Sequence, residues 1–411
     1  MRIVDVLFAP GLGGFFNDDQ EAILRGAGHD GFLYVGAPVT PGFPSIRTPA
    51  ETLGIGLVLE DGSIAWGDML SVQYSGAAGR DPLFRSAAIQ SFCEAHIVPR
   101  LKGLEISSFR PACTAVMGPV EGKRLPIAVE YGLSQALLNA AAAQARRTAV
   151  EVICDEFDLP LIAKRVPLYG QSGDSREINL DKMLLKRVDV LPHGLTNSPE
   201  KFGPKGEAFK AYVRQVSERS RQLSDETWKP KFHFDVYGLI GREFGLIPEA
   251  IADYIATLSD DSKGFEMSLE CPADFGSLEA QVEGYAEIIR LLEAKGSNIR
   301  IAVDERCNTL SDVEAFTSAR ACHMIQIKTP DVGSVEDTVK AAILCKEAGI
   351  GAYIGGSCTE TDVAARVAAN IAIATQAEMV LAKPGMGVDE GVSIVGNEQS
   401  RVLAMLARKA A

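Results

Sequence analysis

Ile299-Arg300-Ile301-Ala302-Val303-Asp304 and His323-Met324-Ile325-Gln326-Ile327-Lys328 are two short apolar runs, each closed by a charged residue and separated by a helix-length segment. The rhythm continues on both sides. Toward the N-terminus stand Phe265 to Leu269, Lys231 to Phe234, Val188 to Leu191 and Leu161 to Tyr169; toward the C-terminus stand Gly351 to Ile354 and Ala377 to Leu381. Each run with its helix-length follower is one βα unit, and eight of them predict an α/β fold, a (β/α)8 TIM-type barrel. The chain beyond residue 160 has the roughly 250 residues typical of that fold. A doubly wound open sheet is the alternative, but it usually carries a glycine-rich phosphate turn after its first strand. Here Gly170-Gln171-Ser172-Gly173-Asp174 lacks the GxGxxG spacing.

The first part of the chain, residues 1–160, reads as a separate α+β domain, with the barrel over residues 161–411. Asp61-Gly62 lies between apolar-rich runs in the segment Ile55 to Asp68, a hairpin signal because glycine accepts the positive φ of a tight turn. Residues 32–36 add a possible strand. Beyond Asp81-Pro82 the pattern turns helical and ends in an Ala-rich stretch, Ile127 to Arg147, whose small side chains suit close packing. The start, Met1 to Leu7, places Asp5 inside an apolar run without a small-residue cleavage site, so it reads as a strand rather than a signal peptide.

Of 411 residues, 46% are hydrophobic and 23% charged, which excludes disordered and low-complexity classes. Asp plus Glu number 54 against 41 Lys plus Arg, a net charge of −13 that argues against nucleic acid as a partner. The eight cysteines contain no CxxC pair, so neither a disulfide framework nor a zinc ribbon is expected. No apolar run reaches the ~18 residues of a membrane span. A soluble, cytoplasmic protein acting on a small molecule, with no membrane partner, is expected.

Barrel chemistry sits at the C-terminal ends of the strands. The residues closing the eight runs are Gln171, His193, Asp235, Glu270, Asp304, Lys328, Ser357-Cys358 and Lys383. Asp235, Glu270 and Asp304 follow one another at spacings of 35 and 34 residues, one βα unit each, so three carboxylates converge on neighbouring strand ends. Converging carboxylates repel unless a cation neutralises them, and an all-oxygen set suits Mg²⁺. Capping of the following helices is the alternative for each carboxylate alone. Cys271 and Cys307, near these residues, read as packing residues. Lys328, buried beside a cation, should have a lowered pKa and serve as a general base. His193, on the opposite strand, is either a structural histidine or a group facing the lysine across the metal. Lys383 is either a partner of Asp389 or Glu390 or a substrate contact.

A Lys or His base with Mg²⁺ is the enolase-superfamily arrangement, in which the metal stabilises an enediolate formed by removing a proton next to a carboxylate. The chain also resembles the methylaspartate ammonia-lyase family of that superfamily. The resemblance runs from Ile3-Val4-Asp5-Val6-Leu7 through Gly26-Ala27-Gly28-His29-Asp30-Gly31-Phe32 and Gln73-Tyr74-Ser75-Gly76 to the C-terminal half. Its most specific stretches are Phe234-Asp235-Val236-Tyr237-Gly238, Gln326-Ile327-Lys328-Thr329-Pro330-Asp331 and Leu381-Ala382-Lys383-Pro384-Gly385-Met386-Gly387-Val388-Asp389-Glu390-Gly391.

The resemblance implies reversible α,β-elimination of ammonia from (2S,3S)-3-methylaspartate to mesaconate, with Mg²⁺ and a monovalent cation such as K⁺. By that similarity Asp235, Glu270 and Asp304 match the metal ligands, and Lys328 matches the base that takes the C3 proton. His193 matches the residue at the other face. Gln73, Gln171, Gln326, Ser357 and Cys358 match positions that hold the substrate carboxylates and amine. A homodimer, with the N-terminal domain capping the barrel mouth, is also implied. At position 357 the family pattern has Thr where this chain has Ser, which puts the fit around the substrate in question. Rival readings are a Schiff-base aldolase using Lys328, another superfamily dehydratase or racemase, and a non-catalytic binding protein; the three clustered carboxylates have no role in the aldolase.

Overall fold

The computed structural model describes residues 1–77 and 79–410. In the N-terminal part β1 (Ile3–Asp18) begins where the apolar start predicts a strand. Two short strands follow, β2 (Gly28–Asp30) and β3 (Leu33–Val35), which pair as a small hairpin and account for the strand expected over 32–36. Then β4 (Arg47–Leu59) and β5 (Ile64–Met69) turn about Asp61-Gly62 and give a three-stranded antiparallel sheet in the order β1-β4-β5. The Ala-rich helix Ile127–Ala145 lies across this sheet and stops at Arg146, which takes a left-handed φ of 51°, two residues short of the predicted end. Its small residues are what let it approach so closely. A Cβ on Gly67 of β5 would stand 2.1 Å from the carbonyl oxygen of Gly132 in the helix.

The second part is a closed barrel of eight parallel strands. They are β6 (Leu168–Tyr169), β7 (Val190–His193), β8 (Lys231–Asp235), β9 (Met267–Glu270), β10 (Arg300–Val303), β11 (Met324–Ile327), β12 (Gly351–Ile354) and β13 (Met379–Leu381). They follow in chain order and β13 pairs back to β6. Helices occupy the intervening segments, as parallel crossovers require. The predicted first run is too long: residues 161–167 are not strand, and Leu161 and Ile162 are 50% and 41% exposed. Pro160 and Pro167 bracket the segment and cannot donate to a ladder. The backbone of Val166 is met instead by the Gln399 amide, which both accepts from its N–H and donates to its carbonyl.

The two parts meet at the barrel mouth. The glycine-rich stretch of β1 passes over the loops after β12 and β13: a Cβ on Gly13 would fall 2.0 Å from the Thr359 carbonyl oxygen, and one on Gly14 would fall 2.4 Å from Pro384. The Gly14 N–H donates to the Glu360 carbonyl at 2.9 Å. Among the described residues no helix is long and apolar enough to cross a membrane.

The contact between Gly67 and the helix backbone leaves no flexible side chain to give way. Gly67→Ala is therefore expected to destabilise the chain by about 1–3 kcal/mol, the usual cost of overpacking. Urea denaturation measures it; an unchanged midpoint would mean that the helix can lift from the sheet without loss.

Candidate active site

One cavity opens at the C-terminal end of the barrel beneath the N-terminal part, and every candidate site residue except Glu270 and Lys383 lines it. Glu270 is wholly buried just below. Each strand delivers its side chain by ending there: His193, Asp235 and Glu270 are the last residues of β7, β8 and β9, and Asp304 and Lys328 come directly after β10 and β11. Gln326 points in from β11, Gln171 follows β6, and Ser357-Cys358 sit in the loop after β12. Gln73 comes from the N-terminal part.

The acidic residues dominate the electrostatics. Burial, reinforced by Glu270, Glu305 and Asp304, holds Asp235 well above the usual carboxylate range; burial and Asp304 do the same to Glu270. Glu305, beside Asp304, is a fourth buried carboxyl whose pKa is raised by burial and then by Asp304. Around them stand donors. Lys328 Nζ donates to Asp304 Oδ2 at 2.5 Å, and Arg80 Nη2 lies 3.5 Å from Asp304 Oδ1. Gln326 Nε2 donates to Glu270 Oε1, and His233 Nε2 lies 2.7 Å from Glu270 Oε2. The other His233 nitrogen meets Ser268 Oγ at 2.6 Å, which fixes the ring beneath Glu270.

Lys328 departs from its sequence expectation. Burial and the Arg80 guanidinium lower its pKa, but Asp304, Glu305 and Asp331 more than offset them, so the amine stands above its ordinary value. The three carboxylates hold the lysine charged. Lys383 is corrected too. It pairs with buried Glu360 at 2.9 Å and donates to the Gly355 carbonyl at 2.6 Å, whereas Asp389 binds Lys182 and Lys186, and Glu390 accepts from the Gly387 N–H. Burial lowers the Lys383 pKa.

His193 is neutral. Burial, then the neighbouring His233 and Lys328, pushes its pKa down to about 3. Its Nδ1 accepts from the Leu195 N–H at 3.3 Å, so the ring proton belongs on Nε2, which faces Asp235 Oδ2 at 3.6 Å. Cys271 and Cys307 are buried free thiols, and no disulfide forms among the described residues, as the spacing predicts. Sequence reasoning missed Arg80, Tyr74, Tyr237, Glu305 and His233. Glu305 had a signal in its place next to Asp304, and Tyr74 and Tyr237 stand inside stretches that carry the family resemblance.

The residues fit a hard divalent cation. Asp304 Oδ1 is buried without a hydrogen-bond partner, and the acidic groups offer oxygen only. Among the described residues no three His, Cys, Asp or Glu side chains form a ready ligand cluster, because Asp304 is turned to Lys328 and Glu270 to Gln326 and His233.

A capped (β/α)8 barrel with acidic residues closing successive strands and a lysine opposite a histidine is the enolase-superfamily architecture. The fold aligns with the L-Ala-D/L-Glu epimerase of Bacillus subtilis at a TM-score of 0.63 over 95% of this chain and 91% of that one, with 13% identity, a likeness of fold alone. The chain belongs to the methylaspartate ammonia-lyase family: the family's N-terminal model matches residues 1–158 and its C-terminal model residues 160–408. It is 46% identical to the Citrobacter amalonaticus methylaspartate ammonia-lyase solved with (2S,3S)-3-methylaspartic acid, at a TM-score of 0.97 over 99% of this chain and all of that one. It is 47% identical to the Clostridium tetanomorphum β-methylaspartase solved as a Mg complex, at a TM-score of 0.94 over the whole of both chains.

The neutral histidines set an acid limit. An unfolded histidine takes up its proton near 6.5, whereas His193 and His233 stay neutral in the folded chain down to about pH 3. Between those values the unfolded state binds more protons at these two histidines, so their contribution to stability falls as pH falls, opposite in sign to that of the buried carboxyls with raised pKa. His193→Gln should flatten this slope in denaturation curves run from pH 7 to 4; an unaltered slope would assign the linkage elsewhere.

Proposed function

We propose that this chain catalyses the reversible α,β-elimination of ammonia from (2S,3S)-3-methylaspartate to mesaconate. The observation that carries the reading is the meeting of Lys328 and His193 over Asp235, Glu270 and Asp304 in a capped barrel mouth, in a chain of this family. Asp235, Glu270 and Asp304 would hold a Mg²⁺ ion. When bound, the cation supplies the charge that Lys328 and Arg80 now give Asp304 and neutralises the charge developing on the substrate carboxylate next to C3.

With a cation on Asp304 the carboxylate would hold the Lys328 ammonium less strongly, and it is the neutral, deprotonated amine that takes the C3 proton onto Nζ. The electron pair left at C3 forms the C2–C3 double bond as the C2–N bond breaks, and ammonia leaves. His193 faces the opposite side of C3 and presents Nε2–H to the substrate. Gln73, Gln171, Gln326, Ser357 and Cys358 hold the carboxylates and the amine. The N-terminal part excludes water from the cavity, which strengthens every charge interaction inside it. A monovalent cation such as K⁺ as activator, a homodimer and a cytoplasmic setting complete the proposal; the eight buried free thiols suit a reducing compartment.

Absorbance of the conjugated diacid, followed with 3-methylaspartate, Mg²⁺ and K⁺, tests the reaction. Product that EDTA suppresses is expected, and no product under any metal would sink the assignment. Lys328→Ala should lose elimination and C3 deuterium exchange, a fall of at least about 100-fold for a missing general base, while keeping Mg²⁺ affinity. Asp304→Asn should weaken Mg²⁺ binding first; calorimetry showing wild-type affinity would remove Asp304 from the ligand set.

A further inference from the structure

Gln73 enters the cavity from the N-terminal part, and its amide is held from behind. Nε2 donates to Asp18 Oδ2 at 2.9 Å, and Oε1 accepts from the Cys358 thiol at 3.3 Å. The backbone is fixed as well: the Asp18 N–H donates to the Gln73 carbonyl at 2.9 Å, and the Gln73 N–H donates to Ser357 Oγ at 3.1 Å. Asp18 is 1% exposed, so its charge needs a partner, and Arg47 supplies one in two-pronged geometry, Nε to Oδ1 and Nη2 to Oδ2, both at 2.8 Å. The guanidinium is in turn packed among rings, 4.3 Å from the centroid of Phe32, 4.8 Å from Tyr34 and 5.5 Å from Phe15.

An ionised carboxylate only accepts hydrogen bonds. Asp18 therefore admits only the nitrogen end of the Gln73 amide, and the opposite orientation would set Oε1 against a buried negative charge. With one Nε2 hydrogen on Asp18, the second remains for the cavity, where the oxygen of a substrate carboxylate is the acceptor that fits. We propose that Asp18, locked by Arg47, is a positioning residue that fixes Gln73 as a hydrogen-bond donor to the substrate. Neither Asp18 nor Arg47 touches the cavity itself. The inference rests on the function proposed above and assigns the control of one of its binding residues.

The test is a double-mutant cycle on the Mg²⁺-loaded protein, reading KM and kcat for 3-methylaspartate separately. Asp18→Asn keeps the shape but offers the amide a donor as well as an acceptor, so Gln73 can turn over. KM is expected to rise roughly tenfold, the scale of one hydrogen bond to a charged group, with kcat within about twofold and Mg²⁺ affinity unchanged. In a Gln73→Ala background the same substitution should add nothing, because there is no amide left to orient. Arg47→Lys, which loses the two-pronged grip, should move KM in the same direction by a smaller factor.

A full Asp18→Asn effect that persists in the Gln73→Ala background would overturn the inference by making Asp18 merely structural. Wild-type KM in Asp18→Asn beside an impaired Gln73→Ala would overturn it while leaving the proposed function intact. Wild-type kinetics in Gln73→Ala would remove both Gln73 from the binding set and Asp18 from control of it.

Discussion

Three carboxylates and a fourth beside them, buried at the end of one barrel, repel one another, and the surrounding structure is arranged to contain that repulsion. Leaving such charges uncompensated would cost several kcal/mol each. The chain meets the cost with five groups: Lys328 donates to Asp304 and the Arg80 guanidinium lies 3.5 Å from its other oxygen, Gln326 donates to Glu270 while His233 meets the second Glu270 oxygen at 2.7 Å, and the Tyr237 N–H donates to Asp235 at 3.0 Å. Three of the carboxyls, Asp235, Glu270 and Glu305, retain part of the strain as raised proton affinity. A site that holds its own acids this uneasily is prepared for a cation.

The same economy of charge joins the two parts of the molecule. Arg80 belongs to the N-terminal part, yet its Nε donates to Asp331 Oδ2 at 2.7 Å, just past the lysine's turn. Glu360, fully buried after β12, accepts from Tyr131 of the Ala-rich helix, from the Ser357 N–H at 2.7 Å and from Lys383. The cap is therefore tied to the barrel through charged groups that lie within or directly behind the cavity wall. Displacing it would break the Arg80–Asp331 and Tyr131–Glu360 contacts and leave both carboxyls short of partners.

Much of this was legible in the residues. Parallel strands buried on both faces read as apolar runs, and the polar residue that ends each run is the one the barrel delivers to its mouth, which is why His193, Asp235, Glu270, Asp304 and Lys328 stand where their spacing places them. Other features had no local signal. Arg80 lies in an irregular segment and acquires its partners only through the docking of two domains. His233 sits mid-strand, where period alone does not separate a ring that orients a carboxylate from one that fills space. Lys383 looked available to the acidic residues next in sequence, yet its partner Glu360 comes from the loop of the preceding barrel unit. The failure of residues 161–167 to form strand has a local cause, two prolines, that a count of apolar residues does not weigh.

Ser357 belongs both to the cavity wall and to the joint between the two parts of the chain. Its hydroxyl accepts from the Gln73 N–H and lies 2.8 Å from the Thr359 hydroxyl, which also reaches the Ser71 carbonyl at 2.7 Å. The residue thus lines the cavity and stitches cap to barrel at once. A threonine would keep that hydroxyl and add a methyl in a crowded seam where Gly356, adjacent, already has no room for a Cβ: one built there would lie 2.0 Å from Glu360 Oε2. Such a methyl would press on the loop that carries Cys358, and through it on the Gln73 amide that Cys358 meets.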